Sequence, residues 1–403
     1  MKNSFRQFLS DISISAFVAG FLAVLISYAG PLVLVFQAAK LAGLSTSMTS
    51  SWIWAISIGS GLTGLILSWH LRVPVITAWS TPGAALLIGI LPYTPYTEAI
   101  GAYLVSAALI TIIGFSGAFD RFIERIPKGI AAALLAGILL RFGMDTFTSI
   151  SVNPLLVLAM IATFILLKRS KPSYAIAGVM IMGVALAVIM DKTRISAVSL
   201  TLVSPELVVP EWSWGAILNL GLPLTLVSLT GQFVPGMAVM RASGYEVRAK
   251  EIVTSTGIAS ILLAPFGSHG VNLAAITAAI CTGKDANSDP AKRYVAGVFS
   301  GAIYIVIGLF GGALAMLFSA LPAELIATLA GLALIGAITS GIVGMAADEG
   351  HRDAGIITFL ASASGMHFLG IGSAFWGLVM GGAAYFMLHK NWLRGKKVNP
   401  GVL

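Results

Sequence analysis

Residues 73–90, Val-Pro-Val-Ile-Thr-Ala-Trp-Ser-Thr-Pro-Gly-Ala-Ala-Leu-Leu-Ile-Gly-Ile, are apolar enough to enter a membrane but cannot cross it as one regular helix. The first half reads as an extended strand. Helix starts only partway along, where Ser80 or Thr81 is a good N-cap and Pro82 suits the first helical turn. Lipid offers no partner for free N–H and C=O groups, so irregular backbone at membrane depth is tolerated only where it is buried in protein or lines a cavity. The first turn of such a half-helix presents free N–H groups and the positive end of the helix dipole to the interior, an environment that favours anions. The feature points to a transporter.

The rest of the chain supplies the membrane setting. Only 10% of its 403 residues are charged and 57% are hydrophobic, against roughly 25% charged in soluble domains. Stretches near the ~20 apolar residues of a spanning helix lie over 13–36, 48–70, 73–91, 97–117, 127–147, 153–168, 173–190, 213–240, 250–264, 265–282, 293–318, 322–342, 353–366 and 369–389, which predicts fourteen spans. With the N-terminus in the cytoplasm, all but four of the 24 Lys and Arg residues (Lys40, Arg141, Lys192 and Arg194) fall in cytoplasmic segments, as the positive-inside rule requires. Both termini are therefore expected inside, and the net charge of +8 reflects topology, not nucleic-acid binding. The apolar run after Lys2 and Arg6 is too long for a signal peptide and lacks a suitably placed small-x-small cleavage site, so it is expected to be the retained first span.

A weak internal repeat organises these spans. Gly114, Gly117, Pro127 and Gly137 recur as Gly308, Gly311, Pro322 and Gly331, 194–195 residues later. Seven spans separate the two copies, an odd number, so the second copy lies inverted in the membrane. Inverted repeats with a site at their interface are a transporter architecture. The broken third span then predicts a broken tenth, and residues 262–281 contain Pro265, Gly267 and Gly270, which do not suit a regular helix. A half-helix is expected from about Val271, meeting the first half-helix head to head. Residues 191–212 form a linker outside the membrane, expected to hold a short strand or interfacial helix, while Gly297/Gly301 and Gly377/Gly381 have the small-x₃-small spacing of close helix packing.

Candidate site residues cluster at these breaks. Trp79, Ser80, Thr81, Pro82 and Gly83 belong to the first, and Gly267, Ser268, His269, Gly270, Val271 and Asn272 to the second. The backbone N–H groups of Thr81, Gly83, Gly270 and Val271 are the expected carboxylate holders. His269 can exchange protons near neutral pH and is the proton-coupling candidate, although a neutral histidine bonded to a carbonyl is the plain alternative. Gln232 and Phe233 sit beside a predicted kink in the eighth span, and a buried amide needs a partner, either substrate or another helix. Tyr28 holds the equivalent place in the first span and could stack on an aromatic ligand. Cys281 stands alone, so no disulfide framework or Cys-based metal site is expected. No metal-ligand spacing, nucleophile–base set or phosphate-binding glycine loop is present, so neither an enzyme nor a cofactor is expected.

At Thr77 to Leu86 (Thr-Ala-Trp-Ser-Thr-Pro-Gly-Ala-Ala-Leu), Ala132 to Gly143, Ala274 to Cys281 and Gly370 to Gly377 (Gly-Ile-Gly-Ser-Ala-Phe-Trp-Gly), the sequence resembles the bacterial benzoate:proton symporter family over nearly its whole length. That family is in turn similar to the uracil-transporter and anion-exchanger fold. The resemblance implies an all-α membrane protein of two inverted seven-span repeats, with spans 3 and 10 each a short strand plus half-helix. It implies a core domain over 12–117 and 213–318, a gate domain over 118–190 and 319–390, and an extracellular linker over 191–212. It further implies import of benzoate or a related aromatic carboxylate with a proton across the bacterial inner membrane, by alternating access of core against gate, with a homodimer possible. In the uracil-transporter relatives acidic residues on spans 8 and 10 bind substrate and proton. Here the eighth-span position is Gln232 and the tenth-span loop offers His269 and Asn272, a departure that suits an anionic substrate. A nucleobase, sulfate or dicarboxylate transporter of the same fold, and an anion channel, are the alternatives.

Overall fold

The computed structural model describes residues 2–29, 31–119, 121, 127–170, 175–193, 201–274, 276–284, 286–368 and 371–388. The C-terminal tail expected in the cytoplasm, 389–403, lies outside them. The described residues are mostly helical. In order it forms α1 (Lys2–Asp11), α2 (Ile14–Ala29), α3 (Pro31–Leu41), α4 (Thr46–Leu71), β1 (Thr77–Trp79), α5 (Thr81–Ile90), α6 (Tyr96–Phe115), α7 (Lys128–Thr148), α8 (Pro154–Ser170) and α9 (Ala175–Ile189). Then follow α10 (Trp214–Arg241), α11 (Ala249–Leu263), β2 (Val271–Leu273), α12 (Ile276–Thr282), α13 (Tyr294–Leu309), α14 (Gly311–Ser319), α15 (Ala323–Ala347), α16 (Arg352–Ala363), the two-residue strands β3 (His367–Phe368) and β4 (Ile371–Gly372), and α17 (Ser373–Leu388). Among the described residues, seven helices are long and apolar enough to cross a membrane: α2 with α3, α4, α6, α7 with its following turn, α10, Pro290–Leu309 and α15.

Elements recur at the spacing read from the sequence. Helix α5 starts at Thr81 and α12 at Ile276; α7 starts at Lys128 and α15 at Ala323; α6 ends at Phe115 and α13 at Leu309. Packing is consistent with that recurrence: α7 packs along its own counterpart α15, while α4 packs along α13 and α6 along α11, two contacts that the recurrence exchanges. Glycine makes the α4–α13 contact possible. A Cβ on Gly61 would lie 2.7 Å from the Gly301 carbonyl oxygen, and one on Gly301 2.6 Å from that of Gly61. Gly297 likewise faces Ser68, so this small-residue pair is a packing device.

The backbone of the two breaks is satisfied within the protein. Strands β1 and β2 pair antiparallel, Thr77 with Leu273, Ala78 with Asn272 and Trp79 with Val271. Ala274 N–H extends the pairing to the Ile76 carbonyl at 2.8 Å. Serines on the flanking helices take further groups. Ser68 Oγ of α4 accepts from Val75 N–H and donates to Val75 C=O, both at 3.0 Å, and Ser260 Oγ of α11 accepts from Val271 N–H at 2.8 Å. This is the condition for irregular backbone at membrane depth. The buried Arg293 closes the far end of α12, its guanidinium donating to the Thr282 carbonyl at 2.7 Å, where a cation also suits the helix dipole.

Two expectations are corrected here. The second half-helix starts at Ile276, not near Val271, because Val271–Leu273 is taken up as the strand partner of the first break. The linker forms neither strand nor helix over its described residues 201–212. Its N–H groups go to other elements instead: Val203 to Leu309, Val208 to Pro265 and Glu211 to Thr97.

Candidate functional site

A cavity of about 1010 Å³ opens between the broken crossings and α15. Its inner wall is made by the buried Ser27 of α2, Trp79 of β1, Pro82 of α5, Gln232 of α10, and Ala274 and Thr277 beside β2, with the half-buried Ala78, Thr81 and Gly231 between them. Its far wall is Leu332, Ala333, Leu334 and Gly336 of α15, and its mouth is formed by the exposed Ile14, Ser15 and Lys168. The volume sits at the upper end of the roughly 300–1,000 Å³ usual for small-ligand pockets, room for an entry path as well as a binding place. Most of the lining is apolar. Among the described lining residues, Lys168 is the only ionisable side chain.

Local helix geometry brings Gln232 to this wall. Residues Leu229–Phe233 form a π-turn inside α10, a distortion that inserts one residue and is frequent at functional sites. Gly231 and Gln232 line the cavity, while Phe233 turns away and packs edge-on to Phe119 at 6.3 Å. The Gln232 side chain makes no hydrogen bond to another described residue, leaving its amide for a ligand or water.

Trp79 is held from behind. Tyr28 and Tyr304 meet its ring edge-on at centroid distances of 5.4 and 6.0 Å, and Tyr28 Oη donates to Ser57 Oγ of α4. Tyr28 is thus a support for Trp79 and does not line the cavity. The indole N–H of Trp79 is buried with no partner among the described residues, a feature that in native interiors calls for an explanation such as a ligand or water. Beside it, Ser80 caps α5 by accepting from Gly83 N–H at 3.0 Å. Pro82 has no N–H, so Thr81 carries the free N–H of that first turn.

The second break contributes less than its sequence promises. Val271 N–H is occupied by Ser260, Gly270 N–H bonds Ser268 Oγ at 3.4 Å, and neither starts a helix. Gly267 turns the chain at φ 101° against Trp52 and Tyr96. Asn272 is buried with both amide atoms unpartnered among the described residues, on the strand face it shares with Ala78. None of Ser80, Gly83, Gly267, Ser268, His269, Gly270, Val271 or Asn272 lines the cavity.

His269 is bound on both sides. Trp52 Nε1, which can only donate, lies 3.0 Å from Nδ1, so Nδ1 is the acceptor and the ring is neutral. The proton then sits on Nε2, which donates to the Ser80 carbonyl at 3.2 Å. The histidine ties α4 to the residue that caps α5.

Of the sequence candidates, the structure therefore gathers Trp79, Thr81, Pro82 and Gln232 at the cavity. Sequence reasoning missed Ser27, Thr277, Lys168 and the α15 wall. Ser27 and Thr277 carry a signal, being hydroxyls in otherwise apolar runs. The α15 residues carry none, since Leu-Ala-Leu reads as any lipid-facing helix.

Comparison with known proteins follows this geometry. A family model described as "BenE: Benzoate membrane transport protein" matches residues 10–387. The chain is 47% identical over 390 residues to the "Benzoate membrane transport protein" of Acinetobacter baylyi, covering 97% of this chain and 99% of that one. It is 41% identical over 372 residues to the "Inner membrane protein YdcO" of Escherichia coli, covering 92% and 95%. In fold it is similar to the solved structure of SLC26A9 (TM-score 0.68, 15% identity, 94% of this chain and 66% of that one). It is also similar to the transmembrane domain of a cyanobacterial bicarbonate transporter, BicA (TM-score 0.60, 14% identity, 93% and 98%).

Proposed function

We propose that this chain, which belongs to the benzoate membrane transport protein family, carries benzoate or a related aromatic carboxylate across the inner membrane. One observation carries the reading: the cavity sets neutral polar side chains, Gln232 and Thr81 among them, against apolar walls, with no Asp or Glu among its described lining residues. A carboxylate would take the Thr81 N–H and hydroxyl and the Gln232 amide, and the buried Trp79 indole N–H would join them once that side chain turns toward the cavity. The ring would lie against Trp79, Pro82 and the α15 wall. The first turn of α5 adds a helix-terminus interaction worth roughly 0.3–2 kcal/mol.

The finer reading is import by alternating access, with fourteen spans in two inverted repeats, both termini cytoplasmic, and a core of 12–117 and 213–318 moving against a gate of 118–190 and 319–390. The recurrence of elements and the antiparallel β1–β2 pair support the inversion. Under this topology the mouth at Ile14 and Lys168 opens to the cytoplasm, an inward-facing state. Proton symport follows most simply if the proton rides on the substrate's own carboxyl group. His269 remains the protein's own candidate, and protonating it requires breaking the Trp52 bond, since Nδ1 would become a donor facing a donor.

Uptake into proteoliposomes with an imposed inward proton gradient tests the proposal. Labelled benzoate should accumulate with saturation and be competed by other aromatic acids. Competition by uracil, sulfate or a dicarboxylate in place of benzoate overturns the substrate, and non-saturating flux indifferent to the gradient overturns transport in favour of a channel.

A further inference from the structure

We infer that Lys168 governs exchange of the anionic ligand at the cytoplasmic mouth of the cavity: its positive charge draws ligand on that side back toward the neutral groups of the inner wall, so that under import it sets how readily released ligand rebinds. The inference rests on the transport reading above and adds a role that no part of it requires.

Four observations combine. Lys168 is the only ionisable side chain among the described residues that line the cavity. It stands exposed in the last turn of α8 and lines the cavity together with the exposed Ile14 and Ser15. It makes no ion pair or hydrogen bond with another described residue, so no described residue neutralises its charge. The inner wall offers Trp79, Thr81, Gln232, Ser27 and Thr277, all uncharged. Attraction and holding are thus assigned to different places.

The physics favours that division. A charge at the mouth of a cleft with low-dielectric walls focuses its field into the cleft and raises the local concentration of a counter-charged ligand. An exposed charge acts on arrival more than on final affinity, and salt weakens it. A cation fixed at the inner wall would hold a carboxylate tightly and slow its release, and none lines it. A lysine at a helix C-terminus near the membrane surface also has an ordinary explanation in the helix dipole and the positive-inside rule. Arg169, its exposed neighbour, satisfies both without lining the cavity, and so serves as the control.

The test uses the full chain in proteoliposomes of sorted orientation, with labelled benzoate presented at the Lys168 face or at the opposite face, at low and high KCl. Lys168→Gln should raise KM at the Lys168 face about 3–10-fold at low salt, on the modest side of field focusing, leave Vmax unchanged and abolish the salt dependence. Lys168→Arg should retain it, Arg169→Gln should match wild type, and KM at the opposite face should not move. Competition by benzamide, the neutral analogue, should be indifferent to the substitution. A wild-type salt slope in Lys168→Gln overturns the inference, as does equal damage in Lys168→Arg or the same shift in Arg169→Gln. If wild type transports sulfate and not benzoate, the substrate reading fails, while the same salt slopes measured with sulfate still decide the role of Lys168.

Discussion

Gln232 and His269 are both buried polar side chains in an apolar span or break, and the structure gives them different work. Gln232 has no partner among the described residues and faces the cavity. Gln232→Leu should leave the melting temperature near wild type and weaken benzoate binding about 10–150-fold, the worth of about 1.5–3 kcal/mol in a hydrogen bond to a charged group, read by calorimetric titration. His269 is saturated by Trp52 and Ser80. His269→Ala should cost about 1–3 kcal/mol of stability through the orphaned groups. In combination with Trp52→Phe the losses should be non-additive, read by thermal unfolding. If the proton travels on the substrate, His269→Gln keeps the pH dependence of uptake. A variant that still binds but loses that dependence assigns the proton to His269. Sequence alone could not separate these residues. Composition marks a buried amide and a buried imidazole equally, and only the position of a donor-only indole decides which is already bound.

At the scale of elements, the interruptions are what local sequence chemistry reveals best. Ser80, Thr81 and Pro82 specify where α5 begins, and Pro265, Gly267 and Gly270 specify that a second crossing is broken. Where the second half-helix begins is not local information. Gly-Val-Asn-Leu has no strand signal strong enough to stand alone, and it becomes β2 because β1 is there to pair with it. Ser68 is a further element-level device. Ser68→Ala leaves the Val75 carbonyl unpaired, while Val75 N–H keeps the Val73 carbonyl at 2.9 Å, and should lower stability by about 1–3 kcal/mol, seen as a drop in melting temperature in detergent. The π-turn of α10 was legible only as a Gly-Gln-Phe-Val-Pro-Gly kink. Because a π-turn holds one residue more than an α-turn, deleting Thr230 should restore a regular helix and rotate Gln232 off the cavity wall. That variant should insert and remain folded, yet lose benzoate binding at least tenfold.

For the whole molecule, transport needs the cavity to empty and refill as its walls move. Gly336 lines the cavity on α15, and a side chain added there meets nothing within 4 Å. Gly336→Phe should therefore fill the passage without clashing. Uptake should fall to background while the melting temperature holds or rises, because glycine in a helix interior costs roughly 0.5–1 kcal/mol relative to alanine. A variant that transports normally would show that the passage runs elsewhere.

The pairing of Thr77–Trp79 with Val271–Leu273 also governs how the protein is made. When the ribosome has delivered the first strand, its partner is still untranslated, and at about 5–20 residues per second the wait is on the order of 10–40 s. During that interval the newborn segment carries unpaired peptide groups that lipid will not accept, so the insertion machinery must shelter it until the matching stretch emerges.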